Sequence, residues 1–167
     1  QRQMCIRDSF NSGAGFSSTS GRYNLNFTAI AGPISLANGN VSINANGGTI
    51  NLIANSMTFV PTTGVNTNSI QSIGGLLNIQ PFGSTTQIGL GASTSGTLRI
   101  PTVAWSGSTT GAAPTVSNIG NAVFKPGFSM ITVGSAEQTG SLFVNQVNAD
   151  VFAVSYTHLT LPTNREV

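Results

Sequence analysis

A pair of apolar residues separated by one polar residue recurs between residues 34 and 101. The period of two within each pair is that of a β-strand with one buried face, so a helix fits this pattern poorly. Asn-Gly, Asn-Gly-Gly and Gly-Gly steps stand between pairs, and Gly and Asn tolerate the positive φ angles of tight turns. The pairs are Ile34/Leu36, Val41/Ile43, Ile50/Leu52, Met57/Phe59, Leu77/Ile79, Ile88/Leu90 and Leu98/Ile100. This pattern predicts an all-β chain of short, repeated strands.

Charge is scarce in this chain and limits the classes of function. Charged residues make up 6% of the 167 residues, against about 25% in ordinary soluble domains, and none lies between residues 23 and 98. The chain is too apolar for a typical disordered segment, and no run approaches the roughly 18 apolar residues of a membrane span. Arg22, Arg99 and Lys125 are too sparse for a nucleic-acid footprint. A neutral surface of amides and hydroxyls is typical of repetitive extracellular fibres and solenoids.

The two ends of the chain differ from the rest in composition. Residues 1–9 and 155–167 hold half of the ten charged side chains, the only cysteine (Cys5) and the only histidine (His158). The peptides MCIRDS and VSYTHLTLPTNREV resemble translated sequencing-adaptor read-through. We therefore interpret both ends as non-native and set them aside before reasoning about the fold. The remaining protein is expected to be a fragment, residues 10–154, that is open at both ends.

The repeated pairs admit two geometries. Four of the apolar positions, Leu36, Phe59, Ile79 and Ile100, are separated by spacings of 23, 20 and 21 in the sequence. That spacing is close to one coil of a β-solenoid built from three short strands per turn. The alternative is a fibre shaft in which three identical chains wrap around one axis and share the apolar core. The irregular spacing and the Gly-rich turns favour the trimeric shaft.

The pattern along the chain divides the fragment into four segments. Residues 10–33 are predicted to be a lead-in strand and loop, 34–101 the repetitive β shaft, 102–128 a Pro/Gly/Ser-rich collar or linker, and 129–154 terminal β-strands. The terminal strands are expected at residues 129–133, 141–147 and 150–154, and to form a small C-terminal β-meander.

Residues with catalytic or metal-binding chemistry are few. Without its ends the chain has no Cys or His, which removes the usual metal ligands and Ser-His or Cys-His catalysis. Its two carboxylates, Glu137 and Asp150, fall in a turn and at a strand start, whereas a glycosidase needs two carboxyl groups held about 5–10 Å apart. The Gly-rich stretches 91–96 and 106–111 lack the ending of a phosphate-binding loop. We predict no enzyme, no cofactor and no metal site. Trp105 is expected to pack in the collar or, as the weaker alternative, to contact a glycan.

Three stretches carry a resemblance to a known class of proteins. They read NGNVSINANGGTINLIA (38–54), TTQIGLGASTSGTLRIP (85–101) and SLFVNQVNADVFAVS (141–155), and they resemble the shafts of bacteriophage tail-fibre and related viral fibre proteins. The resemblance implies an elongated homotrimeric structural protein of the virion, which links it to a host-surface glycan or protein receptor. No catalytic residue of such proteins carries over to this sequence.

The first repeats have a second resemblance. They are similar to the haemagglutinin-like repeats of secreted bacterial adhesins, which build single-chain right-handed β-helices. This leaves open a secreted or cell-surface adhesin as the alternative to the viral fibre. A polysaccharide-active β-helix enzyme is the least favoured alternative, because the carboxylates are so few.

Overall fold

The computed structural model describes residues 3–6, 15–17, 21–36, 41–59, 68–91, 95–101, 104 and 122–145. Thirteen strands are bounded within these residues. They are β1 (Gln3–Ile6), β2 (Gly15–Ser17), β3 (Asn24–Ala29), β4 (Ile34–Leu36), β5 (Ser42–Asn44), β6 (Thr49–Ala54), β7 (Met57–Phe59), β8 (Ser69–Gln71), β9 (Leu76–Gln80), β10 (Ile88–Gly91), β11 (Leu98–Ile100), β12 (Met130–Val133) and β13 (Leu142–Asn145). The all-β prediction is confirmed for this part of the chain.

The strands form four sheets in which the described pairings are parallel. The first sheet has the order β1-β3-β6-β9-β12, the second β2-β5-β8, the third β4-β7 and the fourth β11-β10-β13. Apart from β10 and β11, two strands that pair are separated along the chain by strands of other sheets. Parallel neighbours need such crossovers, because a two-residue hairpin joins only antiparallel strands.

Several sheet neighbours have a similar offset in the sequence. In the first sheet Leu25 pairs with Ile50, which pairs with Leu77, and side-chain hydrogen bonds across the same strands span 25 and 27 positions of the sequence. In the second sheet Ile43 pairs with Ile70, and the neighbouring contact between the Ser42 and Ser69 hydroxyls again spans 27 positions.

The offset doubles in the later part of the chain. Strand β12 pairs with β9 through Ile131 and Leu77, and the Ser129 hydroxyl beside this pairing donates to Gly75 O across 54 positions. The pairing of Ile88 with Leu142 and the bridge between Ile70 and Phe124 have the same doubled offset.

The apolar pairs predicted from the sequence form the core. Each of the fourteen residues is at most 6% exposed. Parallel pairing places like residues in register, so Phe27, Leu52 and Ile79 form one buried column of the first sheet. The rings of Phe59 and Phe124 meet edge to face with centroids 5.1 Å apart. This core is buried within a single chain.

Two tight turns lead into the first sheet. Asn46 and Gly47 have φ angles of 46° and 84°, and Gly48 N donates to Ala45 O at 2.9 Å, which is the geometry of a type I′ turn. The equivalent turn, residues 72–75, closes with Gly75 N donating to Ser72 O at 2.9 Å. A Cβ at Gly48 would overlap the Tyr23 backbone, so this position needs glycine because two backbones approach closely.

Two buried polar side chains fasten turns to the neighbouring strands. Asn68 Nδ2 donates to Leu36 O at 2.7 Å, and its Oδ1 accepts from Val41 N at 3.1 Å. Ser72 Oγ donates to Gly48 O at 2.8 Å and accepts from Gly47 N at 3.1 Å. Both side chains have an exposed fraction of 0%, and these bonds satisfy backbone groups that burial would otherwise leave unpaired.

Two details of the predicted repeat are wrong. Leu36 does pair with Phe59, as its spacing suggests, but Ile79 pairs with Leu52 and Ile100 pairs with Leu90. The connections between strands differ in length, so equal spacing between apolar residues does not identify ladder neighbours. The repeat also contains β8, which the pair pattern misses because Ile70 is a lone apolar residue between Ser69 and Gln71.

The predicted C-terminal β-meander is also wrong. Strands β12 and β13 lie near the expected positions, but they do not pair with each other. Instead β12 pairs with β9 and β13 pairs with β10, both in parallel, because their apolar residues continue the columns of those strands. The third expected strand, residues 150–154, lies outside the described residues.

Two of the predicted segments are only partly covered by the described residues. Residues 122–128 of the predicted collar are described, and Val123, Phe124 and Phe128 in this segment are buried in the core. Strand β1 falls within residues 1–9 and pairs in parallel with β3 from Gln3 to Ile6. The interpretation of residues 1–9 and 155–167 as non-native ends stays a prediction. The described residues contain no helix long and apolar enough to cross a bilayer.

Candidate functional site

The outward face of the first sheet is a broad uncharged surface. Side chains alternate between the two faces of a strand, so the residues between the buried positions of β3, β6 and β9 point outward. Each of them is half-buried. We call this surface the amide face, and it consists of Asn24, Asn26, Thr28, Thr49, Asn51, Ile53, Leu76, Asn78 and Gln80. Asparagine and glutamine supply five of its nine side chains.

A ladder of asparagine side chains runs across the middle of the amide face. Asn51 Nδ2 donates to Asn26 Oδ1 at 2.5 Å, and Asn78 Nδ2 donates to Asn51 Oδ1 at 2.7 Å. The ladder exists because these three residues are register partners on adjacent strands about 4.8 Å apart. Like side chains at that spacing pair efficiently when each carries both a donor and an acceptor.

The ladder bonds use only part of the hydrogen-bonding capacity of the central asparagine. A side-chain amide has two N–H donors and two acceptor lone pairs. Asn51 uses one donor and one acceptor within the ladder, so one of each remains beyond those two bonds. Beside the ladder, Asn24 Oδ1 accepts from Thr49 N at 3.2 Å. The surface can therefore exchange hydrogen bonds with neutral hydroxyl groups.

The charged residues of the described part lie on other elements. Arg22 lies at the turn before β3, where a Cβ on Gly47 would come within 3.5 Å of Arg22 Nε. Arg99 is exposed on β11, and its Nε donates to Gly96 O at 3.1 Å. Glu137 is exposed in the turn between β12 and β13. Lys125 lies beside the buried Phe124, and partial burial lowers the pKa of its ammonium group from 10.5.

The sequence-predicted candidates for chemistry are not brought together in the described residues. Trp105, the proposed glycan contact, lies outside them, as do Asp150, His158 and the Gly-rich stretch 106–111. The other Gly-rich stretch, 91–96, is described only at its ends. Gly96 has a φ of 125°, and a Cβ there would lie 2.9 Å from Gly89 N, so its glycine serves a tight turn. A search of the described side chains found no group of three or more His, Cys, Asp or Glu that could hold a metal ion.

Large apolar side chains are exposed at a few places outside the amide face. The most exposed are Ile30, Ile73, Phe82, Phe143 and Val144. Phe143 and Val144 are adjacent on β13, with exposed fractions of 37% and 56%. Val144 is the register partner of the buried Leu90, so it occupies a core-facing position that the described residues leave uncovered.

Sequence reasoning missed the asparagine ladder, although the sequence contains a signal for it. Each ladder residue is flanked by two apolar residues, in LNF (25–27), INL (50–52) and LNI (77–79). The recurrence of this tripeptide at intervals of 25 and 27 positions gives both the register and the place of the asparagines. An analysis based only on apolar pairs does not use it.

Comparisons with known proteins add no identification. A scan against protein-family models found no matching family, and searches of curated proteins and of solved structures found no match.

Proposed function

We propose that the chain is a β-solenoid module of an extracellular attachment protein, with a structural and ligand-presenting role. Support for the solenoid comes from the recurring offsets. Four pairings in the first two sheets have offsets of 25 to 27 positions, β1 with β3 and β4 with β7 have 21 and 23, and these lengths fit one coil of a repeat, whereas β10 and β11 are only 10 positions apart. Later pairings are 54 positions apart, which fits two coils of the same repeat.

A single chain is the unit that this arrangement favours. In a shaft formed by three intertwined chains, the apolar face of each strand is completed by the other copies. Here Leu52, Ile79 and Leu90 have exposed fractions of at most 4% within one chain. A chain that buries its own apolar columns resembles a stacked-repeat protein, in which each repeat contacts its neighbours along the stack. The self-contained core is the observation that carries the adhesin-type proposal.

The role is structural and non-enzymatic in this proposal. Glu137 is the carboxylate side chain that the described residues contain, and it is exposed in a turn. The amide face provides periodic hydrogen-bonding groups without charge, which suits a neutral hydroxylated receptor such as a host-surface glycan. Leu76 and Ile53 on the same face add half-buried apolar surface that can contact the C–H faces of sugar rings.

A virion tail fibre is the second candidate, and one observation favours it. Phe143 and Val144 are exposed apolar side chains on the two opposite faces of β13, and exposed apolar surface is often covered by another chain. Three complete copies associating side by side would cover it. In that arrangement each copy would keep its own core, and the shared surface would be the exposed edge of β13.

Binding to neutral polysaccharides tests the attachment role. The full chain is run in native gels that contain soluble neutral or anionic polysaccharides, and its retardation is measured. We expect retardation by a neutral polysaccharide, weakened at least about tenfold in apparent affinity, or about 1.4 kcal/mol, by Asn78→Ala. Asn78 is chosen because it ends the ladder of three. Thr58→Ala, on the exposed face of β7, is the matched control and should bind like the parent chain.

Lack of retardation by every neutral polysaccharide would reject glycan attachment through this face. Equal losses in the Asn78 and Thr58 variants would reject the amide face as the binding surface. Circular dichroism of each variant separates lost binding from lost folding.

A further inference from the structure

The Asn46–Gly47 step combines an exposed asparagine with a following glycine in a turn that is tied to its neighbours. Asn-Gly is the dipeptide most open to deamidation, because glycine puts no side chain in the path of the reaction. Asn46 is exposed, so burial does not protect it. We infer that Asn46 is a deamidation site that the stacked fold holds unreactive.

The reaction needs a specific movement of the backbone. Gly47 N loses its proton and attacks Asn46 Cγ, a new C–N bond closes a succinimide ring, and the side-chain nitrogen leaves as ammonia. Water then opens the ring at either carbonyl group, giving aspartate or isoaspartate. The net change is addition of water and loss of ammonia, with no oxidation or reduction. Closure requires the Gly47 nitrogen to be free and the Asn46 side chain to rotate toward it.

Hydrogen bonds in the turn oppose both requirements. Gly47 N donates to Ser72 Oγ at 3.1 Å, which occupies the N–H that must be deprotonated before this nitrogen can attack. Asn46 Nδ2 donates to Gly21 O at 3.0 Å, which directs the side-chain amide toward the turn before β3. Asn46 N also donates to Asn44 Oδ1 at 2.9 Å, so the backbone on the other side is held as well.

The main restraint comes from a residue in the next equivalent turn. Ser72 lies 25 positions beyond Gly47, in the turn between β8 and β9, and its Oγ also donates to Gly48 O at 2.8 Å. Protection of Asn46 therefore depends on the contact between residues 45–48 and 72–75. The chemical state of Asn46 then reports whether these two turns are stacked, whatever function the protein has.

Reaction at this site would also damage the stack. Isoaspartate places an additional atom in the main chain, close to Gly48, where even a Cβ would overlap the Tyr23 backbone. Either product loses the Nδ2 donor that bonds Gly21 O. Deamidation is thus expected to follow local opening of the turns and then to prevent them from closing again.

Peptide mass spectrometry on the full chain tests the inference. The native protein and the urea-unfolded protein are incubated in the same mildly alkaline buffer, and conversion at Asn46 is followed with time. We expect the native rate to be lower by at least about tenfold, as an opening free energy of about 1.4 kcal/mol would give. The second Asn-Gly step of the chain, Asn38–Gly39, is an internal standard that should react like Asn46 in urea. Equal native and unfolded rates at Asn46 would overturn the inference without any variant.

Two variants identify the source of the protection. Ser72→Ala removes the acceptor of Gly47 N and should raise the native rate at Asn46 at least about threefold, because the turn then loses one of the hydrogen bonds that keep it closed. Ser69→Ala, on β8 just before the same turn, removes the hydroxyl contact with Ser42 and should leave the rate unchanged. Native rates that are the same in both variants would overturn the role of Ser72.

Discussion

Individual residues in this protein are constrained mainly by the neighbouring strand, because parallel pairing places corresponding residues of adjacent strands side by side. Asn68 bonds backbone groups of residues 36 and 41, which come far earlier in the chain. Gly48 faces the Tyr23 backbone, and Gly75 faces the carbonyl of Gly48 in the same way. Such contacts make a few small or polar residues as important to stability as the apolar core.

Gly48 provides a residue-scale prediction. Gly48→Ala should lower the free energy of unfolding by about 1–3 kcal/mol, because its Cβ overlaps fixed backbone atoms and the strands must shift. Gly32→Ala is the matched control, since no atom lies within 4 Å of a Cβ at Gly32. It should be neutral or stabilising by up to about 1 kcal/mol. Urea denaturation measures both, and an equal loss in the two variants would contradict the close stacking at Gly48.

Asn68 provides a second prediction at the scale of residues. Asn68→Ala leaves the Val41 amide and the Leu36 carbonyl without these side-chain partners in a buried place, so the free energy of unfolding should fall by about 1–3 kcal/mol. Ser69→Ala, next to it but on the outer face, should change stability by at most about 0.5 kcal/mol. If thermal denaturation ranks these two variants in the reverse order, Asn68 does not fasten the turn.

Strand positions could largely be predicted at the scale of elements, whereas strand partners could not. Ile34/Leu36 and Ile50/Leu52 are typical of the strands that could be predicted. In each, two apolar residues alternate with polar residues between turns, which leaves one apolar face to bury. Partners depend on the lengths of the connections, which vary, so the spacing of 20 positions between Phe59 and Ile79 does not make them partners, and Ile79 pairs with Leu52 instead. The amide face could be predicted only from the tripeptides in which an asparagine stands between two apolar residues. Folding requires the outward positions of a strand to be polar, but it does not require the same polar residue in each repeat.

Strand β6 tests the direction in which side chains point. Leu52→Asp buries a carboxylate without a partner and should lower the free energy of unfolding by several kcal/mol, or prevent folding. Ile53→Asp, one residue later on the half-buried outer face, should cost much less. Urea denaturation of both variants measures the two free energies of unfolding and shows which face of β6 is buried. A more damaging Ile53→Asp would place β6 one residue out of register, which exchanges its two faces.

At the scale of the whole molecule, recurring offsets explain how a chain with so little charge builds a core. A strand of three to six residues buries too little apolar surface to be stable alone, so each is stabilised by its neighbours in the same sheet and by the shared core. The pairings of β12 with β9 and of β13 with β10 resume the earlier columns after a long intervening stretch of chain.

The ends of the chain give one prediction at this scale. Removing residues 1–9 deletes β1, and the non-native interpretation of this segment expects the melting temperature to stay unchanged. The other edge of β3 keeps its pairing with β6, so the first sheet retains its remaining order. Differential scanning calorimetry of the shortened and full chains makes the comparison. A fall of several degrees would show that β1 contributes to the native stack.

The molar mass in solution tests most directly whether one chain closes its own core. Light scattering of the full chain is measured over a wide range of protein concentrations, with circular dichroism to confirm β-structure and melting followed at each concentration. The single-chain stack predicts a mass of 17.1 kDa throughout and a melting temperature independent of concentration. A mass of three chains, with melting that shifts to higher temperature as concentration rises and no folded monomer on dilution, would contradict it.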